Sequence, residues 1–496
     1  MGFDLTYWVV FSTALHLFTF SGVLLHALRR RRNASATILW IFVAWSLPVF
    51  GPFLYLSFGI DRISNKGLNK KSTNQLMMMY QRNERHGGQS AFIARQCEYR
   101  ADVTAIDNKL TRTLNQALDS LNPEHPLLEG NKFEPLLCGD QAYPLMLQAI
   151  RSAQHHIHLQ SFIIYRDDTG RKLLEELKIK AEQGVKVRLM FDRFGSTHAY
   201  LSGMFRKYRN IPNFEIHGWT QANPLKRQFQ INLRNHRKNL VIDGKIAFFG
   251  GVNISSENIT TGEHPAIRDY HFKVEGPLVR EFQHSFLRDW FFMTEEPLDV
   301  LLSPEHFPEI KASGTAMARI IDSGPSSPSE LTSETFFNAI TMAQSQILVV
   351  TPYFVPTVDI LKALRCAARR GVDVRIVVPE KNNHHYAGLA SKALFEELLD
   401  ARVRIFERKP PFMHAKAMVV DNTVAIVGTA NLDVRSLELN YETTVLLNEE
   451  SMINKLKCII QEDIDQSTEL NLNEWLQRPF IQKLGENLCA LMAPIL

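Results

Sequence analysis

Two stretches of this chain, residues 149–165 (AIRSAQHHIHLQSFIIY) and 339–355 (AITMAQSQILVVTPYFV), carry the same pattern of a helix end followed by an apolar strand. The segments after them also match. KLLEELKIKAEQGVKVRLMF (172–191) and DILKALRCAARRGVDVRIVV (359–378) each read as a helix with apolar spacing near 3.6, a glycine stop and an alternating strand. Self-similarity on this scale means one supersecondary unit used twice. Strand–helix–strand order calls for parallel strands and a right-handed crossover. The expected fold class is therefore α/β, with two layered α/β/α repeats related by a pseudo-two-fold. Their expected bounds are 126–300 and 317–496, joined by a linker over 301–316.

Each repeat then delivers the same polar motif. The first copy reads NHRKNLVIDGKIAFFGGVN, with His236, Lys238, Asp243, Gly250, Gly251 and Asn253; the second reads MHAKAMVVDNTVAIVGTAN, with His414, Lys416, Asp421, Gly428 and Asn431. Both fit H-x-K-x4-D-x6-G-[GT]-x-N, with 178 residues between the histidines. A lone histidine near a lysine would mean little, but this match falls in register with an independent repeat. Alternation puts His and Lys, at i and i+2, on one face of a strand. Asp-Gly and Asp-Asn are hairpin-turn dipeptides, so a second strand returns beside the first.

Facing the copies across one cleft brings together two histidines and two lysines, a set suited to a phosphodiester. One imidazole can attack phosphorus and the other can serve as acid and base. Lys238, Lys416, Asn253 and Asn431 would stabilise charge on the phosphate oxygens, the task a metal performs elsewhere. No carboxylate cluster with metal spacing lies nearby, so the expected mechanism is metal-free. The candidate catalytic residues are His236, Lys238, Asp243, His414, Lys416 and Asp421. Asp243 and Asp421 lie at an odd offset from their histidines, which gives them a supporting role in the turn. A nucleophilic histidine also needs a carboxylate on its far nitrogen. Asp269 and Glu442, following the motifs by 33 and 28 residues, are the candidates.

The N-terminus adds a membrane context. Residues 5–28 and 34–60 contain no Asp, Glu, Lys or Arg, and each exceeds the ~20 residues a spanning helix needs. With only Arg29 to Asn33 between them, residues 1–60 are expected to form a two-span hairpin. Positive charges balance across it, leaving the membrane side open. Residues 61–125 read as a juxtamembrane linker, because 62–100 hold eight Lys/Arg against Glu84 and Glu98; attraction to anionic headgroups and simple solvation both fit. The five cysteines show neither metal-ligand nor disulfide-framework spacing and read as small buried hydrophobes. His155, His156 and His158 precede a core strand and read as its edge rather than a metal patch. His384 and His385 follow the strand over 374–378, where loops face the site in open α/β sheets. The aromatic and basic stretch 205–229 reads either as membrane contact, slightly favoured, or as core with a basic rim.

The paired motif resembles the phospholipase D superfamily, and its surroundings resemble the bacterial cardiolipin synthases within it. The likeness runs through PVFGPFLYLSFG (48–59), RNHRKNLVIDGK (234–245), RDYHFKVEGP (268–277), HAKAMVVD (414–421) and GTANLDVRSLELNYE (428–442). It implies reversible phosphatidyl transfer between two phosphatidylglycerol molecules, giving cardiolipin and glycerol through a phosphohistidine with no nucleotide cofactor. It also implies residence in the bacterial inner membrane, with anionic lipid rather than nucleic acid as the partner. By this resemblance His236 is the nucleophile and His414 the acid/base; the residues themselves are nearly symmetric. The alternatives are a hydrolase of membrane phospholipids and a non-catalytic scaffold, the latter disfavoured by the intact histidines and lysines.

Overall fold

The computed structural model describes residues 5–29, 34–56, 70, 72–80, 98–219, 234–324 and 331–491. The chain divides into two compact units, Met1–Lys66 and Gly67–Leu496.

In the first unit, helix α1 (Leu5–Arg29) is followed by α2 (Ala34–Ser46) and a short α3 (Phe50–Leu54). Residues Tyr7–Arg29 are long and apolar enough to cross a bilayer, with mean hydropathy 1.7. The second expected span is not one continuous helix. Pro48 supplies no N–H and disfavours helix before it, Val49 takes a positive φ of 62°, and the chain restarts at Phe50. At 13 residues α2 covers about 20 Å, short of the ~30 Å hydrocarbon core. Gly51 passes so close to α2 that an added Cβ would stand 2.2 Å from the Val43 carbonyl oxygen.

The second unit is built on one sheet of fifteen described strands. The first copy runs β1 (Leu128–Leu136), α5 (Gly139–Ser152), β2 (His156–Ser161), α6 (Asp168–Glu182), β3 (Lys186–Asp192), β4 (Phe214–Trp219), β5 (Asn239–Ile242), β6 (Ile246–Gly250), β7 (His271–Glu275) and α7 (Val279–Thr294). Helix α4 (Lys109–Leu121) precedes it. The second copy runs β8 (Ala316–Ser323), α8 (Leu331–Met342), β9 (Gln346–Val350), a short β10 (Phe354–Val355), α9 (Val358–Arg369), β11 (Asp373–Pro379), α10 (His385–Ala393), β12 (Arg404–Arg408), β13 (Ala417–Val420), β14 (Val424–Gly428), β15 (Leu432–Asp433), β16 (Glu442–Asn448) and α11 (Glu450–Asp465). β17 (Ser467–Glu469) and α12 (Phe480–Ala490) close the described chain.

The order along the sheet is β17-β12-β11-β9-β13-β14-β16-β8-β1-β7-β6-β5-β2-β3-β4. Outward from the central antiparallel β8–β1 pair, both halves run through equivalent strands, with β17 as an extra edge. As strand–helix–strand order requires, β2–β3 and β9–β11 are parallel, whereas β5–β6 and β13–β14 are antiparallel hairpins. Both turn dipeptides take positive φ throughout: Asp243 50°, Gly244 64°, Asp421 50° and Asn422 57°. Alternate strand residues face different layers. Met418 and Val420 pack with α4, α8 and α9, whereas Ala417 and Val419 pack on the side covered by α7 and α11.

Three expectations are corrected here. Residues 61–125 are not simply a linker, because Leu110, Leu114 and Leu118 of α4 are core and Lys70 is buried against Asp289. Six of the eight basic residues in 62–100 (Arg62, Lys66, Lys71, Arg82, Arg85 and Arg95) lie outside the described residues. In 205–229, Phe205, Tyr208, Phe214 and Trp219 are core, so membrane contact gives way to the alternative for them; Lys226, Arg227 and Phe229 lie outside the described residues. None of the four described cysteines is buried; Cys366 and Cys458 are exposed, and Cys97 lies outside the described residues.

Candidate active site

The histidine and lysine of each motif lie just ahead of the expected strand, in an extended segment leading into β5 or β13. That segment is docked by the other copy. Asn235 bridges Tyr441 in parallel, and His236 N–H donates to the Tyr441 carbonyl at 2.9 Å. Symmetrically, Met413 bridges Arg268, and His414 N–H donates to the Arg268 carbonyl at 2.7 Å.

These bridges decide which carboxylate meets which histidine, since Glu442 follows Tyr441 and Asp269 follows Arg268. The His236 Nδ1 lies 2.9 Å from Glu442 Oε2, and the His414 Nδ1 lies 2.8 Å from Asp269 Oδ2. Each copy thus orients the histidine of the other. A carboxylate at Nδ1 fixes the tautomer with the proton there, which leaves the Nε2 lone pair for chemistry. The [GT] position of the motif matches this arrangement. A Cβ at Gly251 would sit 1.9 Å from Asp269 Oδ1, so only glycine fits. In the other copy Thr429 Oγ1 donates to Glu442 Oε2 at 2.5 Å.

Both histidines face one open cleft with a cavity volume of about 370 Å³, lined also by Asn253, Asn431, Arg234 and Arg435. Lys238 and Lys416 are 3% exposed, and Lys238 Nζ donates to the His236 carbonyl at 2.7 Å. Burial, with Lys416 nearby, lowers the Lys238 ammonium to about 7; burial lowers Lys416 to about 8. Burial and neighbouring Lys238 push His236 well below the ordinary imidazole value. Burial and Lys416 push His414 to about 4 against the pull of Asp269. The two carboxylates diverge. Burial raises Glu442 to about 7, whereas Lys416 and His414 overcome burial at Asp269 and hold it below the usual carboxylate range.

Asp243 and Asp421, named with the catalytic set but expected to support the turn, are not among the residues lining the cleft and anchor their turns instead. The Asp243 carboxylate accepts the backbone N–H groups of Gln154, His155 and His156 at 2.8–2.9 Å, and Asp421 accepts those of Gln344, Ser345 and Gln346 at 2.6–2.9 Å. Each pins its hairpin turn to the start of β2 or β9. His384 lines the cleft and His385 is exposed. His156 and His158 are buried within β2, where Gln283 meets His156 Nε2 and His158 Nδ1 and Arg188 meets His158 Nε2 at 3.1 Å, so both ring nitrogens of His158 and one of His156 are already engaged.

Arg234 and Arg435 were not singled out by the sequence reading. They fall at unlike offsets in the two motifs, and comparison of the copies passes over them. Also missed is the charge cluster behind the cleft, where Arg237 pairs with Asp289 and with Asp322 of β8, and its Nε donates to the Glu442 carbonyl at 3.2 Å.

Comparison with known proteins agrees with this architecture. Residues 146–290 and 336–464 match the family described as "Cardiolipin synthase, PLD-like domain", and residues 20–59 match a phospholipase D-nuclease N-terminal family. The chain is 34% identical over 471 residues to a cardiolipin synthase of Alkalihalophilus pseudofirmus, covering 94% of this chain and 90% of that one. It is 33% identical over 477 residues to cardiolipin synthase A of Pseudomonas putida, covering 95% of each. A phosphatidylserine synthase from Haemophilus influenzae superposes with TM-score 0.60 at 16% identity, over 77% of this chain and all of that one, which shows a shared fold. Two copies of the family domain and this similarity over nearly the whole length place the chain in the cardiolipin synthase family of phospholipase D-type phosphatidyltransferases.

Proposed function

We propose that the chain joins two phosphatidylglycerol molecules into cardiolipin, releasing glycerol. His236 Nε2 attacks the donor phosphorus, and the phosphorus–oxygen bond to the departing glycerol breaks. His414, entering this step as imidazolium, gives that oxygen its Nε2 proton. It then takes the proton from the terminal hydroxyl of a second phosphatidylglycerol, whose oxygen attacks phosphorus as the bond to His236 breaks. Lys238, Lys416, Asn253 and Asn431 hold the phosphate oxygens. Asp269 and Glu442 hold the two Nδ1–H groups.

The observation that carries this reading is the pair of histidines held by carboxylates crossed between copies around one cleft. The unequal carboxylates favour the division of labour. An ionised Asp269 facing His414 stabilises the imidazolium that a general acid requires, against the burial and Lys416 that lower it to about 4. A neutral His236 is ready to act as nucleophile.

The N-terminal hairpin is read as an integral membrane anchor in the bacterial inner membrane. Residues 7–29 span it, and the stretch 34–54 enters it as a helix broken at Pro48. The donor and acceptor are then lipids of the same bilayer. The test is to incubate the full chain in lipid nanodiscs with labelled phosphatidylglycerol, without nucleotide and with chelator. Cardiolipin and glycerol in equal amounts are expected. Phosphatidic acid as the sole lipid product would replace the transferase reading with the hydrolase one.

A further inference from the structure

The C-terminal helix α12 is inside out. On a 3.6-residue period, Phe480, Ile481, Leu484, Leu488 and Leu491 fall on one arc of about 100°. Their side chains are 75%, 81%, 57%, 65% and 78% exposed. Other positions of the helix, which packs along α10, carry the charge. Glu486 is 1% exposed and pairs with Arg478 at 2.6 Å, and Lys483 pairs with Glu396 at 3.2 Å. A helix meeting water on its outer side would turn those charges outward and the leucines in.

We propose that α12 lies in the headgroup–acyl boundary of the membrane, apolar face down, and seats the mouth of the catalytic cleft on the lipid surface. This rests on the phospholipid reading of the cleft and names where its substrate enters. Continuity with the cleft argues for a bilayer as the occupant. The supporting helix α10 supplies Tyr386 and Ala387 to the cleft wall, and Tyr386 is 48% exposed. Across the cleft the other copy presents Phe194, which lines it and is 52% exposed. The mouth is therefore rimmed by apolar side chains from both copies. A diacyl lipid can present its phosphate to Nε2 only if the mouth stays close to where its chains remain buried. Interfacial helices of this kind bind through an apolar face that enters the bilayer about 5–10 Å deep.

The test uses the full chain in nanodiscs containing phosphatidylglycerol. The triple variant Ile481→Ser, Leu484→Ser, Leu488→Ser is compared with wild type and with Val358→Ser, a substitution at an 83% exposed position on α9. Expected is a loss of about tenfold or more on bilayer phosphatidylglycerol, with the rate on a dihexanoyl analogue below its micellar concentration kept within twofold. Equal rates on both substrates, or equal loss on both, would overturn the proposal. Independently, a spin label at Leu484→Cys, with the five native cysteines changed to serine, should be relaxed more by oxygen than by a water-soluble nickel chelate, and one at Val358→Cys the reverse. A water-accessible label at 484, or a disulfide cross-link of the unlabelled Leu484→Cys variant to a second copy, would also overturn it. Absence of cardiolipin from wild type on either substrate would count against the reaction, whereas the label depth still reports on the membrane contact.

Discussion

Changing Asp269 to Asn removes one negative charge while keeping the side-chain shape. The site is closed: Asp269 is 0% exposed, its Oδ2 is 2.8 Å from His414 Nδ1, and its Oδ1 accepts the Tyr270 N–H at 2.8 Å. The isosteric amide fits beside Gly251, so the fold is retained. What is lost is a hydrogen bond to a charged partner, about 1.5–3 kcal/mol, or about 10- to 150-fold in rate. The amide can also donate to Nδ1 and stabilise the wrong tautomer, which extends the loss toward about 10⁴-fold. The expected outcome is a fall in kcat of about 10²- to 10⁴-fold with KM changed by less than threefold, read from cardiolipin formation in nanodiscs. Because Asp269 serves His414, adding Asp269→Asn to His414→Ala should cost nothing further. A kcat within threefold of wild type, or full additivity with His414→Ala, would refute the crossed arrangement as the source of catalysis.

His414, at about 4, must enter protonated, so kcat/KM already falls above about pH 4. Loss of charge at Lys238 and Lys416, lowered to about 7 and about 8, should steepen the decline above neutrality. A bound phosphate holds both ammoniums more tightly, so the decline in kcat should lie at higher pH. Unfolding does not explain this loss. With folded values below the unfolded 10.5, the unfolded chain binds more protons from about 7 upward, and the lysines' contribution to stability rises with pH in that window. A flat profile from pH 6 to 9 would count against lysine cations at the phosphate. Asp243→Ala strips the acceptor from three N–H groups, two of which water can reach, and should destabilise by about 2 kcal/mol. Thermal unfolding should shift down while the kcat of the folded enzyme stays within twofold; the reverse pattern would return Asp243 to the catalytic set.

What the sequence made legible followed from local periodicity. The 3.6-residue helices, the alternating strands and the Asp-Gly and Asp-Asn turns each depend on neighbours within a few residues. The repeat then supplied the symmetry, and the sheet order repeats outward from β8–β1. What stayed hidden depends on long-range pairing. Asp269 and Glu442 stood out as carboxylates, but their exchange between copies follows from bridges Asn235–Tyr441 and Met413–Arg268, which join residues far apart in the chain. Composition also misled in places. The aromatics Phe205, Tyr208 and Phe214 resemble an interfacial stripe but pack into the first copy's core, whereas the outward leucines of α12 gave no comparable signal. Charge-free composition alone suggested a second unbroken span, and the single Pro48 overrode it.

The central claim is that His236 carries the phosphatidyl group while His414 moves the proton. A labelled phosphatidic acid p-nitrophenyl ester tests it, because that leaving group needs no proton. Incubated with the full chain, quenched in alkali and analysed by peptide mass spectrometry, the His414→Ala variant should accumulate label on His236. His236→Ala should take none. Label on His414 in the His236→Ala variant, or no covalent label in either variant, would contradict the account.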